Sequence, residues 1–168
     1  MTFRHLQLLL AAAMLAIGIA ILCCGCGTTQ WSHRPVLPFC TPGCALWAVA
    51  DAAELQYGQR IPNEARLRVW EKIRYRTIRG ITLDQAFAEA EEAGWVPGDS
   101  YLHLVALDTI GEGPLICTLS SERHAIVVLS TRDNERVTYF DPRRHEPQTM
   151  SVKRLMQETE GFFWRIAR

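Results

Sequence analysis

A thiol, an imidazole and a carboxylate stand at the ends of three readable elements in this chain. Cys44 lies within "FCTPGCALWAVADAAELQYG", three residues after Thr41, where a helix should begin. The first turn of a helix presents amide donors and the positive end of the dipole, and both favour a thiolate. A thiolate used for acyl transfer needs a base, and the base needs a group that orients it. His124 opens an apolar strand, "HAIVVLS", from which its ring can face a helix start. Asp141 ends the next strand-like run, "RVTYFD", seventeen residues later, and Pro142 stops that strand. Antiparallel pairing of 124–130 with 136–141 brings the start of one beside the end of the other, so the carboxylate falls next to the imidazole. The candidate site is therefore Cys44 as nucleophile, His124 as base and Asp141 as orienter. The remaining histidines fit less well. His5 and His33 precede the fold, His103 sits in a segment without clear period, and His145 sits in a polar loop.

The elements that must position this trio divide the chain in two. The first helix is expected from about Pro42 to Tyr57, with Thr41 as N-cap, Cys44 as third helical residue and Gly58 as the left-handed stop. Leu46, Val49, Ala50, Ala53 and Tyr57 form its apolar stripe. A second helix begins near Pro62 and carries Leu67, Val69, Trp70 and Ile73. The third has Thr82 as N-cap, Gln85 completing a capping box, and Gly94 as stop. Its buried face is Leu83, Phe87, Ala90 and Ala93. After the uncertain stretch Tyr101–Ile110, β-like runs follow at 114–120, 124–130 and 136–141, with turns at Ser121–Arg123 and Asp133–Glu135. A short helix near Ser151–Gln157 and a last strand, "GFFWRIA", complete the order. Helices first and antiparallel strands later is the α+β pattern.

At 168 residues and 19.0 kDa the chain can bury one real core. A formal net charge of zero gives no reason to expect a nucleic-acid partner. The basic run from Arg60 to Arg79, with Arg66, Arg68, Lys72, Arg74 and Arg76 between, is expected to be a solvated helix face, with contact to anionic lipid or peptide as the alternative. Neither G-x-G-x-x-G nor G-x-x-x-x-G-K occurs, so no nucleotide or flavin cofactor is expected. Cys40, Cys44 and His124 match no common zinc spacing, so no metal is expected either.

The first residues read as targeting, not fold. Arg4 and His5 precede "LQLLLAAAMLAIGIAILCCGCGTT", a charged start, an apolar middle and a small-residue end. The "LCCGCGTT" end resembles the bacterial lipoprotein signal, in which a cysteine after a small residue is acylated. Cys26, after Gly25, matches best, with Leu22 one residue further away than usual; Cys23 and Cys24 are the other choices. An uncleaved anchor is also long enough. The expected organisation is a signal or anchor at 1–26, a tether at 27–38 and a domain at 39–168, membrane-anchored in the cell envelope and facing the extracytoplasmic side. With Cys26 as mature first residue, Cys40, Cys44 and Cys117 remain, an odd number that leaves at least one thiol unpaired. A Cys40–Cys117 bridge would leave Cys44 available, whereas Cys40–Cys44 would silence it.

A cysteine opening the alanine-rich "PGCALWAVADAAE", the "GITLDQAFAEAEEAGW" helix, "HAIVVLS…VTYFDP" and a closing aromatic strand resemble the papain-like cysteine peptidases, nearest to the bacterial double-glycine leader peptidases and their extracytoplasmic relatives. The resemblance covers roughly residues 36–167. It implies N-terminal helices packed on a C-terminal antiparallel sheet, a Cys44–His124–Asp141 triad and a peptide or protein substrate. One position departs from the pattern. The family places an oxyanion-binding glutamine about six residues before the nucleophile, and here Pro38 stands there, with the nearest upstream glutamine at Gln30. Losing such a donor costs about 10²–10³ in rate. The same Cys-His-Asp order also resembles transglutaminase-like acyltransferases, and a peptide-binding domain that has lost catalysis is the third reading.

Overall fold

Ten consecutive residues of the first helix, Ala45 to Glu54, are buried. This helix, α1 (Cys44–Tyr57), is thus enclosed on all sides instead of along the one stripe expected. Its alanines allow neighbours to close in around it, and α2 (Asn63–Arg74), α3 (Leu83–Glu92) and the sheet all pack against it. The computed structural model describes residues 43–74, 81–120, 124–132, 135–144 and 146–168, all within a unit spanning Pro35–Arg168. The apolar segment with Cys23, Cys24 and Cys26, and likewise Cys40, Thr41 and His145, lie outside the described residues. Among the described residues no helix is long and apolar enough to cross a membrane.

Each helix ends as its local chemistry dictates. Gly58 closes α1 at φ 67°, donating its N–H to Glu54 O at 2.8 Å. Thr82 Oγ1 accepts from Gln85 N at 3.2 Å and Gln85 Oε1 accepts from Thr82 N at 3.0 Å, so the expected capping box starts α3. In α3 the inward residues are Ala86, Phe87 and Ala90, while Ala93 is exposed. In α2 Ile73 points inward as expected, but Leu67 is exposed and Arg66 is buried.

Arg66 overturns part of the solvated-face expectation. Its guanidinium lies 2.7 Å from Asp51 Oδ1 and 3.0 Å from Glu54 Oε1, both on α1. Asp51, Glu54 and Arg66 are all buried. Glu54 Oε1 also accepts the Ile61 N–H, so the group locks the α1–α2 connection as well. Elsewhere in the run Arg60, Arg68 and Arg74 are exposed, and exposed Lys72 bridges to Glu89 and Glu92 of α3.

The second half is a six-stranded antiparallel sheet in the order β1-β6-β2-β3-β4-β5. Its strands are β1 (Tyr101–Val105), β2 (Leu115–Leu119), β3 (His124–Arg132), β4 (Arg136–Phe140), β5 (Gln148–Ser151) and β6 (Phe163–Ala167). The stretch without clear period therefore resolves into edge strand β1 and a 3-10 turn at Leu107–Glu112, and β5 is an edge strand not foreseen. Strand residues alternate between faces. Leu115, Cys117, Leu119, Ile126, Val128, Val137 and Phe163 build one core with Leu155 of α4 (Val152–Thr159). The alternate residues Ile116, Ala125 and Val127, also buried, face the opposite side of the sheet.

Candidate active site

Cys44 is the first residue of α1, not the third. Gly43 is the N-cap, with φ −93° and ψ −2°, and its carbonyl accepts the Trp47 N–H at 3.1 Å. Expected cap Thr41 lies outside the described residues. The start is set by packing as much as by capping, because Gly43 lies against the six-membered ring of Trp70, which meets Trp47 edge-on at 6.3 Å.

His124 is the first residue of β3, directly opposite Leu119 of β2, and is buried. Val127 pairs with Phe140, so the start of β3 reaches just past the end of β4, where Asp141 follows. His124 Nε2 stands 2.7 Å from Asp141 Oδ1. The other side of the ring is left for the Cys44 side chain, with which it hydrogen-bonds. The Cys44 sulfur also accepts from the Ala125 and Ala45 amides. The structure thus brings together the three residues singled out from the sequence. Cys44 is partly exposed, while His124 and Asp141 are 2% and 4% exposed.

A fourth residue, missed from sequence, joins them. The chain turns at Asp141–Pro142–Arg143–Arg144, with Arg144 N donating to Asp141 O at 2.8 Å. Proline presets φ at the second position of such a turn. The Arg143 N–H then donates to Asp141 Oδ1 at 2.8 Å, the local bond that Asp favours two residues on. The guanidinium returns to the same carboxylate, with Nε 3.1 Å from Oδ1 and Nη2 2.9 Å from Oδ2. The signal was present as "DPR", a carboxylate and a cation joined by a turn-forming proline.

Charge follows geometry. Burial alone would raise the Cys44 thiol, but the hydrogen bond from His124, the Ala125 amide, the imidazolium charge and the Ala45 amide outweigh it and leave the thiol more acidic than usual. Burial lowers the His124 imidazolium, yet Asp141 and Cys44 together lift it to about 9. Asp141 is opposed by its own burial and still falls well below the carboxylate range, held by His124 and Arg143. The arrangement shifts the pair towards a thiolate beside an imidazolium.

The other sequence candidates lie apart. Cys117, buried in β2, is a free thiol that burial pushes up to about 12; the considered partner Cys40 is outside the described residues. His103 is on β1, separated from β3 by β6 and β2. A cavity of about 220 Å³ lined by Gln59, Ile61, Pro62, Ala93 and Trp95 includes none of the three site residues.

No protein-family model matches the chain, and no curated protein matches it. Among solved structures it is similar to the peptidase domain of Streptococcus ComA, a bifunctional ABC transporter involved in a quorum sensing pathway. The TM-score is 0.57 at 20% identity, covering 80% of this chain and 98% of that one. The expected α+β architecture, helices followed by an antiparallel sheet, is the fold the two share.

Proposed function

We propose that the protein is a thiol peptidase that cleaves a peptide or isopeptide bond with Cys44 as nucleophile, His124 as acid and base, and Asp141 as orienter. The observation that carries this reading is the position of His124, bonded through Nε2 to Asp141 and hydrogen-bonded to Cys44 at the head of α1. The Cys44 thiolate attacks the carbonyl carbon, and charge moves to the carbonyl oxygen. The Cys44 N–H, in the first turn of α1, is the donor best placed to meet it. The His124 imidazolium gives its proton to the leaving nitrogen, the C–N bond breaks, and a thioester remains on Cys44. Neutral His124 then takes a proton from water, which attacks the thioester and releases a carboxylate and the thiolate.

The test uses the full chain and a mixture of unstructured peptides, with cleavage read by mass spectrometry. Cys44→Ala and His124→Ala are each expected to abolish cleavage while circular dichroism stays native. A product carrying an added amine in place of water's oxygen would make the protein an acyltransferase. Peptides bound but left intact by the native chain would make it a binding domain, a reading that Pro38 at the glutamine position favours.

The anchoring reading belongs here too: segment 1–26 holds the domain at the extracytoplasmic face of the membrane, with Cys26 as the lipid site. Incorporation of an alkynyl palmitate that persists in Cys26→Ser would move the site to Cys23 or Cys24, and no incorporation at all would leave only an uncleaved anchor or plain secretion.

A further inference from the structure

We infer that Arg143 is a positioning residue: its guanidinium fork and its backbone N–H together hold the Asp141 carboxylate with Oδ1 on His124 Nε2, so that Arg143 acts on the imidazole through Asp141. This rests on the reading of Cys44 and His124 as a reacting pair. A lone carboxylate swings about its Cα–Cβ and Cβ–Cγ bonds, and each swing takes the acceptor away from the ring. Here the N–H at 2.8 Å fixes Oδ1 from one side. Nη2 at 2.9 Å fixes Oδ2, so neither torsion is left to choose. The Arg143 side chain is 23% exposed and that of Asp141 6%, so this charged contact is largely shielded from water and is stronger than a surface pair.

The fork has a second effect, on charge. The groups bearing on His124 are Asp141 and Cys44, and those bearing on Asp141 are His124 and Arg143. Arg143 and the imidazolium therefore share one carboxylate. Arg143 steadies the ring's partner while drawing off part of the negative charge that would hold the proton on the ring. Neutral His124, the base for water attack on the thioester, is consequently reached at lower pH than with an unshared aspartate.

The experiment compares the full chain with Arg143→Met and Arg143→Lys. One readout is the His124 ring titration by NMR; the other is the burst and the following steady state with a p-nitrophenyl ester, which report acylation of Cys44 and its hydrolysis. Arg143→Met is expected to keep the burst, slow the steady state about 10- to 100-fold as misplaced catalytic groups do, and shift the His124 titration, upward if the unshared carboxylate charge dominates and downward if the loosened Asp141 leaves the ring. Arg143→Lys, with the charge but not the fork, is expected to return the titration towards native while leaving the steady state slow. A titration unmoved in Arg143→Met overturns the inference, as does a steady state that falls only with the folded fraction. If the native chain shows no burst but Arg143→Met still moves the His124 titration, the peptidase reading fails and the coupling through Asp141 stands.

Discussion

A β-carbon placed on Gly43 would stand 3.0 Å from both Cε3 and Cζ3 of Trp70, a tight contact that the ring must relieve by giving a few tenths of an ångström. Gly43 has an ordinary negative φ, so the requirement for glycine is steric and not conformational. The residue before Cys44 is thereby seated on a side chain of α2. Gly43→Ala is expected to destabilise the protein by about 1–3 kcal/mol, as overpacking does, and to slow Cys44 alkylation by shifting the head of α1. Trp70→Leu in the same chain should recover part of both losses. Urea unfolding and alkylation rates read this, and an Ala variant native in both would show that the Trp70 ring simply slides aside.

Alkylation of Cys44 as a function of pH tests its coupling to His124 directly. Native Cys44 should react with iodoacetamide at lower pH than an ordinary thiol, with a second change near pH 9 as His124 loses its proton. In His124→Ala the burial penalty remains without its largest compensation, so the reaction should begin at higher pH than in the native chain. Cys117, pushed up to about 12, should stay unlabelled until the protein unfolds. Peptide mapping separates the cysteines, and superimposable profiles for the two proteins would exclude an activated thiol.

Asp141→Asn keeps the shape of the side chain and removes its charge. His124 should then titrate lower, from about 9 towards its ordinary value of 6.5, because the leading stabiliser of the imidazolium is weakened. Turnover should fall by up to about 10⁴-fold, the scale seen when a triad orienter becomes an amide. Stability carries the opposite pH signature. The folded Asp141 carboxyl is more acidic than its ordinary value of 3.8, so its contribution is complete above that pH and is lost as pH falls below it. Asp141→Asn should therefore lose stability at neutral pH and show a flatter acid limb. An acid limb as steep as native would assign acid unfolding to other groups.

Legibility tracked how local each determinant is. The α3 capping box is written in four consecutive residues, and both of its bonds form. The β3–β4 hairpin was readable from its two apolar runs, and with it the meeting of His124 and Asp141. Edge strand β1 exposes Tyr101, His103 and Leu104, so no alternation marks it; β5 is four residues long and exists through its pairing with β4. The head of α1 was misplaced because Thr41 and Pro42 are sound local start signals, whereas Gly43 is selected by Trp70, twenty-seven residues on. Nothing in a run of arginines marks Arg66 as the inward one, since its partners lie on another helix.

That buried arginine supplies the sharpest stability test. Arg66 faces two carboxylates from α1, and these hold its guanidinium more firmly protonated although burial opposes it. Arg66→Met removes the cation and leaves Asp51 and Glu54 enclosed together, a change expected to cost about 3–5 kcal/mol. Adding Asp51→Asn and Glu54→Gln leaves no buried charge, and most of the loss should return. Because both carboxylates ride on the helix that begins at Cys44, Arg66→Met should also blunt Cys44 alkylation under conditions where the chain is still folded. A loss below about 1 kcal/mol in urea would mean that water reaches the group and that it behaves as a surface pair; α1 would then be held by its apolar contacts alone.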